Sequence, residues 1–130
     1  MTKGSILGTG KLVAFAATKN SAKAREFYEG VLGLRLVEDQ QPFALVFDAN
    51  GTMLRVTTVN EHNPAPFTVL GWSVASIADT VDRLTAAGVE FQRYPGMNDS
   101  DPRGIWTAPG GARVAWFKDP DGNVLSVTQY

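Results

Sequence analysis

Two stretches of this chain match without a gap: DANGTMLRV at residues 48–56 and DPDGNVLSV at residues 119–127. Each reads as a tight turn leading into a strand of alternating character. In the second, Pro120 presets φ and Gly122 accepts the positive φ that follows. In the first, Asn50-Gly51 is a two-residue hairpin signal. The same elements precede both. Val13, Asn20 and Gly33 align with Val69, Ser76 and Gly88 to within one residue. Each trio marks a buried strand, a helix N-cap and the glycine that closes the helix. The simplest product of such a repeat is two copies of one supersecondary unit.

The spacing predicts a strand over residues 11–17, then a helix with Ala24, Phe27, Tyr28, Val31 and Leu32 on one face. Strands follow over 34–38, 42–48 and 52–59. The pattern restarts with a strand over 67–74 and a helix from Ser76 that carries Ile77, Thr80, Val81 and Leu84 on one face. Further strands are expected over 91–94, 104–108, 112–118 and 123–129. This is an α+β chain of two tandem βαβββ modules, residues 11–59 and 67–129, joined by a Pro-containing connector at 60–66. The expected architecture is a single domain over 1–130, with one curved mixed sheet and the helices outside.

A length of 130 residues suits one domain with a sizeable core. Apolar residues make up 44% and charged residues 19%, as in soluble globular proteins rather than disordered ones. The net charge of −1, with Lys and Arg scattered, leaves no electrostatic footprint for nucleic acid. The lack of cysteine excludes disulfides, thiolate catalysis and cysteine-bound metals. Near the N-terminus the apolar run is broken by Gly8, Gly10 and Lys11, unlike a signal peptide or a membrane span. The expectation is a cytoplasmic protein with no membrane partner.

With AREFYEGVLGL at residues 24–34 and VAWFKDPDGNVLSV at 114–127, in that order within the duplicated pattern, the sequence resembles the vicinal oxygen chelate superfamily. That group includes glyoxalase I, fosfomycin and bleomycin resistance proteins, and extradiol dioxygenases. The resemblance spans residues 11–129. It implies one metal ligand from the first strand and one from the last strand of each module, usually His, Glu or Gln, all on the concave face. The matching positions here are Val13, Arg55, Val69 and Ser126. Two valines offer no donor atom, a guanidinium repels a cation, and a lone neutral hydroxyl is a poor ligand. His62, the sole histidine, falls in the connector. Neither a metal nor another cofactor is expected.

Strand alternation from those positions predicts the lining of a concave face. Val13, Phe15 and Ala17 share it, as do Met53, Arg55 and Thr57, then Val69, Gly71 and Ser73, then Val124, Ser126 and Thr128. Val114 and Trp116 follow from the DPDG motif, and Phe43, Leu45 and Phe47 from the internal repeat. Trp106 faces the helices if Gly110-Gly111 is a two-residue turn, and the concave face if the turn includes Pro109. Candidate ligand-binding residues are therefore Arg55, Trp116, Phe15, Phe43, Phe47, Met53, Ser126 and Trp106. Residues 94–104 are a loop at one mouth of the cavity, either a lid or a plain surface connection. No Ser-His-Asp or Cys-His set can form, and no carboxylate is expected on the concave face.

An apolar, aromatic face with one guanidinium suits a metal-independent small-molecule-binding protein for an aromatic or anionic ligand. By resemblance to the bleomycin-resistance branch it forms a homodimer with ligand sites between chains. Two alternatives stand beside it. One is a glyoxalase- or dioxygenase-like enzyme with relocated metal ligands or a metal-free mechanism. The other is a non-enzymatic scaffold with a vestigial pocket.

Overall fold

A computed structural model describes residues 4–130; residues 1–3, the start of the N-terminal stretch expected to be neither a signal peptide nor a membrane span, lie outside the described residues. Module 1 comprises β1 (Val13–Thr18), α1 (Ser21–Arg25), β2 (Arg35–Gln40), β3 (Ala44–Ala49) and β4 (Thr52–Thr58). Module 2 comprises β5 (Thr68–Ser73), α2 (Ile77–Ala86), β6 (Trp106–Thr107), β7 (Arg113–Lys118) and β8 (Val124–Gln129). The strand orders are β1-β4-β3-β2 and β5-β8-β7-β6, so the two modules repeat one topology. In each, the first strand runs parallel to the last, while the remaining pairs are antiparallel. The α+β class and the two βαβββ modules are as the sequence predicts.

Both expected N-caps form. Asn20 Oδ1 accepts from the Lys23 amide at 3.1 Å, and Ser76 Oγ from the Asp79 amide at 3.3 Å. α1 continues into a π-helical stretch, Glu26–Val31, with the Leu32 amide donating to the Phe27 carbonyl at 2.9 Å. The wider turn places the neighbours Phe27 and Tyr28 in different contacts. Phe27 stands 6.4 Å from Phe117 of β7, and Tyr28 5.9 Å from Phe47 of β3. One continuous core results. It joins Ala16, Leu45, Phe47, Leu54 and Val56 of the first sheet to Ala115, Phe117, Leu125 and Val127 of the second, with Ala24, Tyr28, Ile77 and Val81 from the helices.

The two sheets remain separate, and the helices pack on the shared core. The other face of each sheet is open. The DPDG turn fastens the modules together. Tyr28 donates to Asp119 at 2.6 Å, Asn123 Nδ2 to the Ala17 carbonyl at 2.9 Å, and the Lys19 amide to Asp121 at 2.8 Å. His62 of the connector meets Asn123 Oδ1 at 2.7 Å. Gly122 has φ +84, and Pro64 of the connector approaches it so closely that a Cβ would lie 3.2 Å from Pro64 Cγ. Both the backbone conformation and the contact favour glycine there.

Candidate functional site

Register fixes which side chains share each open face. On the first sheet, Phe15, Arg55, Val46 and Glu38 lie side by side across β1, β4, β3 and β2. The next row is Ala17, Thr57, Ala44 and Gln40, and the row on the other side is Val13, Met53, Asp48 and Arg35. Arg55, Phe15 and Met53 are therefore on the expected face. Phe15 is 61% exposed and Met53 43%, so the face is open to solvent.

Phe47 and Leu45 are not there. Both are buried in the core against Tyr28 and Leu54. The two-residue turn at Asn50-Gly51 pairs Ala49 with Thr52, so odd-numbered positions of β3 share a face with even-numbered positions of β4. In module 2 five residues separate Lys118 from Val124, and like parities pair instead. The internal repeat therefore carries the wrong facing onto β3. Phe43 precedes β3 in the bend after Pro42, where its carbonyl accepts from the Thr58 amide, and it is 72% exposed.

Two carboxylates do lie on this face, contrary to expectation. A bulge between Leu36 and Glu38 reverses the alternation of β2, so Leu36 points to the core and Glu38 to the open side. Asp48 is paired with Arg35 at 3.6 Å. Glu38 Oε2 accepts from Gln40 Nε2 at 2.7 Å, and Gln40 Oε1 accepts from Arg55 Nη2 at 3.0 Å. This polar chain crosses the rows of Val46 and Ala44, both of which are buried.

On the second sheet Trp116 pairs with Ser126, and Ser126 with Gly71. A Cβ on Gly71 would lie 2.9 Å from Ser126 Oγ, so the glycine makes room for the hydroxyl. Trp106 pairs with Val114, and its ring lies 6.0 Å from that of Trp116. The turn from Ala108 to Ala112 includes Pro109, which puts Trp106 on the open face. Tyr94 meets Trp116 edge-on at 5.5 Å. Three rings thus form one platform. Arg55 bonds within module 1, and Trp116 packs against Tyr94 and Trp106 within module 2.

The expected strand at 91–94 reduces to a single bridge between Phe91 and Phe117, and the loop beyond it is firmly tied. Buried Asn98 donates to the carbonyls of Gln92 and Gly104 and accepts from the Tyr94 amide. Arg93 donates to the carbonyls of Asp101 and Pro102. Amide donation from Ile105, then from Arg103, holds the Asp101 carboxyl below the usual carboxylate range. Arg103 grips Asp82 of α2 with two hydrogen bonds, lowering the Asp82 pKa. These ties suit a fixed connection rather than a lid.

The family-type metal does not fit this chain. Arg55 has Phe15 beside it on β1, and Ser126 has Gly71 beside it on β5. Val13 stands one alternation away, and Val69 is the extra residue where the register of β5 shifts between Thr68 and Leu70. Neither these neighbours nor the two valines carry a side-chain donor for a divalent cation, and Arg55 repels one. Among the described residues, no three His, Asp or Glu side chains are grouped to hold a metal. No helix among them is long and apolar enough to cross a membrane.

Comparison with known proteins supports the fold. No curated protein matches the sequence. Among solved structures, a glyoxalase family protein from Bacillus anthracis is 16% identical, with 98% of each chain covered and a TM-score of 0.76. Lactoylglutathione lyase from Agrobacterium tumefaciens is 17% identical, covering 94% of this chain and 95% of its own, at 0.71. A superfamily member from Sphaerobacter thermophilus is 25% identical, with 92% and 97% covered, at 0.68. The family model for the Glyoxalase/Bleomycin resistance protein/Dioxygenase superfamily matches residues 12–127. That match runs from β1 into β8 and takes in nearly all of both modules, so the chain belongs to the glyoxalase/bleomycin resistance protein/dioxygenase superfamily.

Proposed function

We propose that this chain is a metal-independent, cytoplasmic small-molecule-binding protein that holds an aromatic or anionic ligand against its open sheet faces. The observation that carries the reading is the platform of Tyr94, Trp106 and Trp116 on a face without metal-ligating side chains. Clustered, amphipathic rings offer large contact area at low entropic cost and suit an aromatic ligand. A homodimer completes the site, with the first sheet of one protomer facing the second sheet of its partner. Exposed Phe15, Met53 and Val69 support that pairing.

The test is calorimetric titration with 1-naphthoate before and after exhaustive treatment with a chelator. Binding is expected to survive chelation and to weaken about tenfold in Trp116→Ala, the loss of roughly 1.4 kcal/mol of stacking. Binding that vanishes with the chelator and returns with a divalent ion overturns the reading. So does unchanged affinity in both Trp116→Ala and Arg55→Ala.

One observation favours a second reading. Glu38 on the open face is a candidate proton acceptor, which a metal-free lyase of the glyoxalase type requires. Formation of lactoylglutathione by chelator-treated protein, lost in Glu38→Gln, would establish it.

A further inference from the structure

We propose that Arg55 is a receptor for a single carboxylate, with Gln40 positioning its guanidinium and Glu38 selecting against a second negative charge. The inference rests on the binding reading above and names the ligand class.

The guanidinium is left without a counter-ion. Among the described residues, ion pairs within 4.0 Å engage Arg25, Arg35 and Arg103, but none engages Arg55. Its one hydrogen bond, Nη2 to Gln40 Oε1 at 3.0 Å, uses a single donor of the five it carries. Arg55 is half-buried between Phe15 and Val46. A half-buried cation beside an apolar surface, with donors left over, is well placed to meet an anion.

Gln40 is locked in one orientation. Its carbonyl faces the guanidinium and its amide donates to Glu38 at 2.7 Å. The flipped amide would set N–H groups against Arg55 and a carbonyl against a carboxylate. Gln40 therefore holds one edge of the guanidinium and leaves the other free for a bidentate partner. Glu38 stays out of contact with Arg55, so it does not neutralise the cation. It still places a negative charge two side chains away, which a second ligand charge must face in a partly desolvated setting. Phe15 beside Arg55 and Met53 on the same strand provide an apolar wall for the ligand body. A singly charged aryl carboxylate satisfies all these groups; a phosphate dianion does not.

Calorimetry with 1-naphthoate, 1-naphthamide and 1-naphthyl phosphate at pH 7.5 separates charge from stacking. Naphthoate is expected to bind the wild type at least about tenfold more tightly than the amide, as a charge-assisted hydrogen-bond pair requires. Arg55→Ala removes that gap, and Arg55→Lys restores only part of it. Gln40→Ala weakens naphthoate several-fold and leaves naphthamide unchanged, a split that a loss of folding would not produce. Glu38→Gln raises the affinity for naphthyl phosphate at least about threefold relative to naphthoate, by removing one nearby repulsion. Equal wild-type affinity for naphthoate and naphthamide overturns the inference while the binding reading stands. Naphthyl phosphate bound more tightly than naphthoate, or unmoved by Glu38→Gln, overturns the charge selection. Failure of all three compounds to bind overturns the binding reading together with it.

Discussion

The carboxylate of Asp119 accepts four hydrogen bonds in a buried setting: from the amides of Asp121 and Asn123, from Asn123 Nδ2 and from the Tyr28 hydroxyl. The first three close the turn; the fourth spans the two modules. Asp119→Ala leaves those donors without their acceptor and should lower stability by about 3 kcal/mol, read from the urea midpoint. Tyr28→Phe removes one donor only, with an expected cost of about 1.5–3 kcal/mol. Burial first, then the Asp119 charge, pushes the Tyr28 pKa well above its ordinary value. The folded state therefore holds this proton more tightly than the unfolded chain. The resulting stability is fully present below the unfolded tyrosine value of about 10, and declines as pH rises beyond it. Urea midpoints between pH 9 and 11 should fall for the wild type, and the slope should be shallower in Tyr28→Phe. An equal slope in both proteins would mean that Tyr28 does not govern alkaline stability. At this scale the turn is legible in Asp-Pro-Asp-Gly, because its chemistry is local. The Tyr28 partner, 91 residues away, leaves no mark on the local pattern.

At the scale of elements, periodicity locates every helix and most strands, since alternation and N-caps act within a few residues. It fails where one residue changes the phase. The Val37 bulge turns Glu38 toward the open face, and the short Asn50-Gly51 turn turns Phe47 into the core. A bulge has no composition signal here, and the Asn-Gly pair already shows that the two hairpin turns differ in length. The loop after α2 illustrates a different gap. Its polar, turn-rich sequence suits a lid or a plain surface connection alike, and the ties that favour the connection, such as Asn98 donating to the carbonyls of both Gln92 and Gly104, are not legible in it. Asn98→Ala would orphan both and free the Tyr94 amide, costing about 2–3 kcal/mol. Amide exchange at Tyr94 should be slow in the wild type and much faster in the variant. Fast exchange in the wild type would restore the lid.

For the molecule as a whole, the repeat and the family motifs reveal two modules but not how the two sheets sit. That arrangement rests on Phe27 against Phe117 and Tyr28 against Asp119, contacts set by shape and by one charge rather than by period. Its consequence is that some apolar residues of the sheets lie exposed, without cover from the described residues. Phe15, Met53 and Val69 lie on or beside the ligand-equivalent strands, and each is more than a third exposed. A net charge of only −1 does little to keep two copies apart. If a second copy covers these faces, dimerisation is linked to folding, and the thermal midpoint must rise with protein concentration. Phe15→Glu puts a charge into the contact, so the variant should sediment as a monomer with a concentration-independent midpoint. It should also lose aromatic-ligand affinity although Trp106 and Trp116 are intact, because half of the composite site is gone. A wild-type protein that sediments as a monomer at every concentration, with ligand affinity unaffected by Phe15→Glu, would confine binding to the tryptophan platform of a single chain.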